Sequence, residues 1–277
     1  MFRRLAQGTF EDDRVLLDGE HLLAEALRAE LRVSLVLTSE TDASVVARAR
    51  AAGAVVHDAS AHVIEAASPV RTPGGIVSIA HWSPAPLDRV WNPRPAFVVG
   101  IVDVQDPGNL GSIIRSADAL GATGVVTTPA GADPRGWKAL RGAMGSTFSV
   151  PVARTPLDAM IAQARTNGLR VAATTTDTGR ALDAVSLVEP VLVLLGNEGA
   201  GLPRDVVASA DLSISIPMRA GANSLNVGAA AALLLYEARR QRRARSTACA
   251  AWSCRRTRCT CSGTWPPSRP CSSPGRG

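Results

Sequence analysis

VLVLLGNEGAGLPRDVVASADLSISIPMRAGANSLNV, residues 191–227, is the stretch on which the fold turns. It opens on an apolar strand, Val191–Leu195, that breaks into the glycine-rich turn Gly196-Asn197-Glu198-Gly199-Ala200-Gly201. Pro203 suits the first turn of a following helix, and Asp205 suits its positive end. A second strand, 212–216, stops at Pro217 and leads to the polar Ser224-Leu225-Asn226 at the start of an Ala/Leu-rich helix. Two strand ends thus offer irregular backbone and polar side chains to one place. In open parallel sheets, ligands bind there.

Outward from this stretch, helix and strand signals alternate. Strands are expected at 97–102, 124–127, 147–151 and 170–174, with helices at 112–120 (closed by Gly121), 136–144, 157–167 (closed by Gly168) and 224–243. A turn-rich loop fills 103–111. Such alternation argues a parallel α/β sheet of five to six strands in residues 97–245. Residues 1–82 read as a smaller α/β unit: helices at 20–29, 44–52 and 63–67, and strands at 33–37, 54–56 and 76–80. Between the two, residues 83–96 hold prolines 84, 86, 93 and 95 without apolar periodicity, the composition of a semi-rigid linker.

The net charge of +6 misleads. Ten arginines and no acid follow Glu237, so residues 1–237 carry 20 basic against 24 acidic groups, a balance of −4. A uniformly basic body clamping phosphates is excluded, and any cationic patch is local or sits in the Arg cluster 239–245. All five cysteines (249, 254, 259, 261, 271) lie in the same tail without paired C-x-x-C units, which argues against zinc; the odd count argues against a disulfide framework. Residues 246–277, rich in Ser, Pro, Arg, Cys and Trp, are expected to be disordered. No apolar run reaches membrane-spanning length, and the expected location is cytoplasmic.

Three local signals carry chemistry. In Asn109-Leu110-Gly111-Ser112-Ile113-Ile114-Arg115, glycines 108 and 111 let backbone approach a ligand, and Arg115 offers a permanent planar cation suited to phosphate; the competing reading is a surface ion pair. The turn 196–201 lacks the G-x-G-x-x-G order of a dinucleotide site and serves equally as a tight strand–helix connection. Within it, Glu198 between glycines is suited to binding a cation or orienting an arginine. In Ile216-Pro217-Met218…Ser224-Leu225-Asn226, Ser224 is a fitting N-cap, whereas Asn226 has less structural reason to be there. Histidines 21, 57, 62 and 81 lack metal-like spacing. The chain shows no Ser/His/Asp or Cys/His set and no paired carboxylates.

Together these signals resemble the three motifs of the SpoU (TrmH) family of the SPOUT superfamily: Asn109-x-Gly111-x-x-x-Arg115, then Leu195-Gly196-Asn197-Glu198-Gly199-x-Gly201-Leu202, then Ile216-Pro217-Met218…Ser224-Leu225-Asn226-Val227. The similarity spans about residues 97–243. Gly228, where the family often has Ser or Ala, departs from it. Residues 1–82 resemble, less specifically, the ribosomal-protein-L30-like substrate-binding unit that precedes many such domains; Thr72-Pro73-Gly74-Gly75-Ile76-Val77 fits its end.

The resemblance implies a SPOUT-type sheet with a C-terminal trefoil knot, a homodimer with composite active sites, and S-adenosylmethionine as methyl donor to a ribose 2′-hydroxyl of RNA. It implies cofactor contacts at Leu195, Gly196, Asn197, Gly199, Gly201, Ile216, Met218 and Leu225, and catalytic roles for Arg115, Asn109, Glu198, Ser224 and Asn226. A guanidinium is a poor base, so Arg115 is expected to stabilise a developing alkoxide. Ribosomal RNA is favoured over transfer RNA, with neither a metal nor a membrane expected. The alternatives are an inactive RNA-binding relative and a dinucleotide-dependent oxidoreductase, the second opposed by the missing G-x-G-x-x-G.

Overall fold

A computed structural model describes residues 1–40, 43–92, 95–176, 178–219 and 224–257, with side chains through Arg245. The first part contains α1 (Phe2–Ala6), β1 (Arg14–Asp18), α2 (Glu20–Arg28), β2 (Val33–Thr38), α3 (Ser44–Ala51), β3 (Val55–Asp58), α4 (Ala61–Ala67) and β4 (Ile76–His81). Its four strands run in the order β1-β4-β2-β3, antiparallel except for the parallel β2–β3 pair. Alternate residues of β4 feed two cores. Ile76 and Ala80 pack with α2 and α3, while Val77 and Ile79 pack with Leu5 and Ile64.

A 3₁₀ turn, Leu87–Trp91, follows in the stretch expected to be a linker. It buries Val90 and Trp91 completely against the second sheet. The described part of this stretch is thus partly core: two large side chains fill a gap without needing any helical or strand period.

The second part contains β5 (Phe97–Ile101), α5 (Pro107–Leu120), β6 (Gly124–Thr127), α6 (Trp137–Ala143), α7 (Ser146–Ser149), β7 (Val152–Arg154), α8 (Leu157–Thr166), β8 (Arg170–Thr175), β9 (Arg180–Ala181), β10 (Val191–Leu195), α9 (Arg204–Ser209), β11 (Leu212–Ser215) and α10 (Val227–Thr257). Its seven strands are all parallel, in the order β7-β6-β5-β10-β8-β11-β9. Both faces are covered: Phe97, Val99 and Ile101 point to α5 and α10, and Val98 points to α8 and α9. That double burial explains the unbroken apolar run of β10.

Three expectations are corrected here. The strand expected at 147–151 is instead helix α7 followed by β7, because Gly145 (φ 89) turns the chain before Ser146. Helix α5 begins at Pro107, not 112: Asp106 accepts a bond from the Asn109 backbone N–H at 2.7 Å, so Asn109 and Gly111 lie in helix. Helix α10 continues past Arg243 to Thr257, into the tail expected to be disordered, while 258–277, the rest of that tail, lie outside the described residues.

Gly111 fixes where α6 sits. A Cβ there would lie 2.3 Å from the Ala139 carbonyl and 2.8 Å from the Ala143 nitrogen, so the two helix backbones touch. Arg242 fixes α10. Its guanidinium donates to the carbonyls of Leu187 (2.8 Å), Pro95 (2.9 Å), Ala96 (3.3 Å) and Glu189 (2.9 Å) and stacks 4.9 Å over Phe97. Burial pushes it down to about 10, so it stays charged at neutral pH. Arg242→Met is expected to lose about 2–4 kcal/mol of unfolding free energy, because carbonyls lose a charged donor. Urea unfolding checks this; a loss under about 1 kcal/mol would mean water replaces the guanidinium freely.

Candidate active site

The carboxyl ends of β10, β8 and β11 open on a cavity of about 760 Å³, within the range for small-molecule sites. The turn after β10 forms one wall. Asn197 closes that turn on itself: its backbone exchanges hydrogen bonds with Gly201, and its Oδ1 accepts from Gly199 N (2.9 Å) and Ala200 N (3.0 Å). Its Nδ2 donates to the Asp103 carbonyl at 2.8 Å, tying the turn to the loop after β5. The Asn197 side chain therefore shapes the wall by bonding within the protein.

Glu198 points the other way, to the first turn of α5. It accepts from Asn109 Nδ2 (3.0 Å) and from the backbone N–H groups of Gln105 (3.1 Å) and Asp106 (3.3 Å). Asn109 Oδ1 in turn accepts from Asn226 Nδ2 at 2.9 Å. One hydrogen-bonded chain, Asn226–Asn109–Glu198, so joins all three sequence motifs.

Asn226 rather than Ser224 caps α10, its Oδ1 accepting from Gly228 N (2.9 Å) and Ala229 N (3.3 Å). The correction follows from where the helix starts: at Val227, leaving Ser224 exposed on the cavity rim.

Burial pushes the Glu198 carboxyl up, but the bonds from Asn109, from its own backbone N–H and from Gln105 and Asp106 outweigh it and hold the group below the usual glutamate range. A lowered folded-state value gives stabilisation that is complete above the ordinary carboxyl range and is lost only as pH falls through the lowered one. Glu198 is therefore a fixed anion at neutral pH. Between about pH 6 and 9 it should contribute no inflection to a rate profile. Glu198→Gln, which turns an amide NH₂ towards donors, should lower turnover by about tenfold without introducing one. An inflection in this range that disappears in the variant would make Glu198 a proton carrier instead.

Of the positions expected to hold a cofactor, Leu195, Gly196, Asn197, Gly199, Gly201, Ile216, Met218 and Leu225 all line the cavity, as do Glu198 and Ser224. Asn109 and Asn226 stand behind the wall, reached through Glu198. Arg115 does not line it. It is exposed on α5, six residues and about 9 Å along the axis from Asn109, and its side chain makes no hydrogen bond or ion pair among the described residues. Of the residues expected to be catalytic, Arg115 is thus the one that the structure leaves away from this cavity and from the Asn226–Asn109–Glu198 chain.

Thr174, Thr175, Thr176 and Thr178, together with Arg204, also contribute, and the sequence reading missed both sets. The first could be found only from strand order, since β8 is β10's neighbour in space and not in sequence. The lining fits S-adenosylmethionine. Leu195, Ile214, Ile216 and Leu234 give an apolar wall for a flat base, and Thr175 Oγ1 is buried without a hydrogen-bond partner. No cluster of His, Cys, Asp or Glu suited to a metal occurs among the described residues, and none of their helices is long and apolar enough to cross a membrane.

The comparisons agree with this geometry. The model of the SpoU rRNA Methylase family matches residues 96–236. The chain is 33% identical over 224 residues to the 23S rRNA (guanosine(2553)-2′-O)-methyltransferase RlmP of Bacillus subtilis, covering 81% of this chain and 88% of that one. It is 39% identical over 178 residues to the 23S rRNA (uridine(2479)-2′-O)-methyltransferase of Streptomyces viridochromogenes, 61% of each. Among solved structures, an AdoMet-bound rRNA methyltransferase from Sinorhizobium meliloti superposes with a TM-score of 0.79 at 31% identity, covering 86% of this chain and 92% of that one. AviRb of Streptomyces viridochromogenes, also with AdoMet, gives 0.76 at 28%, covering 88% and 98%. The matched span contains every motif that meets at the cavity, and the chain belongs to the SpoU rRNA methylase family.

Proposed function

We propose that the protein transfers a methyl group from S-adenosylmethionine to a ribose 2′-hydroxyl of ribosomal RNA. The observation that carries this reading is the Asn226–Asn109–Glu198 chain behind the cavity, which ties the wall to the helix bearing Arg115. The relatives named for 23S rRNA supply the substrate class, and such a substrate implies a cytoplasmic location.

When bound, S-adenosylmethionine supplies an activated methyl group. The main-chain atoms of 195–201, 216–218 and 225 would hold it, with the 2′-oxygen presented at the rim by Ser224. Glu198, fixed as an anion, keeps Asn109 and Asn226 in single orientations. Arg115, always charged, stabilises the alkoxide developing on the attacking oxygen.

Because Arg115 is off its own chain's cavity, we place it in the site of a second copy in a homodimer. Leu233 and Tyr236 on α10 support this: they are 46% and 62% exposed, and α10 packs directly on α5. A trefoil knot in the C-terminal part belongs to the same reading. It is supported by α10 returning beneath β5, where Arg242 grips Pro95 and Ala96. The L30-like reading of residues 1–82 rests on their separate mixed sheet. Mapping 2′-O-methyl positions in total RNA with and without the gene tests the function: one ribosomal position should lose its methyl, and an unchanged map would refute it.

A further inference from the structure

The body of this protein is acidic, yet residues 128–156 carry one acid, Asp133, against Arg135, Lys138, Arg141 and Arg154. Asp133 is already held between Arg135 (2.7 Å) and Arg154. Lys138 and Arg141, exposed on α6, make no ion pair among the described residues. Lys138 is also the only lysine in the chain.

Both cations stay close to one ring. Lys138 Nζ is 5.5 Å and the Arg141 guanidinium 6.0 Å from the centre of Trp137. Trp137 is anchored by its indole N–H donating to the Ala6 carbonyl at 3.1 Å. Contact with a ring face occupies no N–H, so three donors on lysine and five on arginine remain available.

Their support is rigid and close to the site. A Cβ on Gly142 would lie 3.2 Å from the Gly108 carbonyl, so α6 rests on the turn of α5 that holds Asn109. Cations without ion-pair partners, held beside an anchored aromatic ring in an otherwise acidic body, match a polyanion backbone.

We propose that Lys138 and Arg141 bind two backbone phosphates of the substrate RNA on the flank of the methyl-transfer site. This rests on RNA being the substrate. Phosphate contacts position a nucleic acid without reading its sequence, so they serve to register the target ribose against the cavity.

The test uses the full chain, S-adenosylmethionine and an unmethylated 23S rRNA transcript, with RNA affinity measured across a salt series. Lys138→Gln together with Arg141→Gln should weaken RNA binding by about tenfold or more and flatten the slope of log K against log salt by about two. Affinity for S-adenosylmethionine should not change, which shows that the variant is folded. Lys138→Arg with Arg141→Lys should keep the slope, and the control Arg89→Gln should match wild type. A double variant with wild-type RNA affinity and slope, in a protein whose wild type methylates the transcript, overturns this inference alone. A wild type that neither binds nor methylates rRNA overturns the substrate reading and this inference with it.

Discussion

Arg115→Ala is expected to lower kcat for methyl transfer by about 10²- to 10³-fold while leaving the Kd for S-adenosylmethionine within about twofold. The split follows from position: Arg115 is exposed on α5, outside the cavity lining, so its loss should leave cofactor contacts intact while removing the charge proposed to stabilise the reacting oxygen. Single-turnover transfer and calorimetric titration separate the two effects. Unchanged turnover would remove Arg115 from the mechanism.

Gly196→Ala should act in the opposite sense, on binding before chemistry. A Cβ at Gly196 would sit 2.4 Å from the Gly201 carbonyl carbon and 2.5 Å from Leu202 N. Both are backbone atoms in a turn that Asn197 holds shut, so the methyl can be accepted only by opening the wall. Affinity for S-adenosylmethionine should fall at least about 100-fold, some 2.7 kcal/mol, with overpacking costing about 1–3 kcal/mol of stability. Titration and thermal unfolding check both; affinity within about threefold of wild type would show that the turn takes no part in holding the cofactor. The two variants also test subunit sharing. Mixed and re-paired, Arg115→Ala and Gly196→Ala chains should regain roughly a quarter of wild-type sites if each site borrows Arg115 from its neighbour in a two-fold dimer. No recovery would put Arg115 and its cavity in the same chain.

How much of this was legible depended on whether a signal was local. The strand 191–195 and its glycine turn stood out because a doubly covered parallel strand is apolar throughout and the chain leaves it abruptly. Gly121, at φ 81, ended α5 where expected. Other features were decided by contacts that no window contains. Asp106, not a glycine, set the start of α5, which moved Asn109 from loop to helix. Asn226 capped α10 and met Asn109, 117 residues away. Thr175 reached the cavity because β8 lies between β10 and β11, and Val90 and Trp91 were buried without any period to announce them. Strand β1 was a plain apolar run and was passed over. Arg115 illustrates the opposite limit: its motif stood out in the sequence, but whether its side chain lines the cavity of its own chain depends on the packing of α5, which one sequence does not reveal.

The most direct measurement is the chemical fate of a labelled methyl group. The protein, S-adenosylmethionine carrying a labelled methyl and unmethylated 23S rRNA are incubated together, and the RNA is hydrolysed in alkali. A methylated 2′-oxygen blocks cleavage at its own phosphate, so the label should appear in one alkali-resistant dinucleotide, and about 10²- to 10³-fold more slowly with the Arg115→Ala protein. Label recovered in mononucleotides, on a base, or equally from the Arg115→Ala protein would contradict a ribose-directed site built from these three motifs.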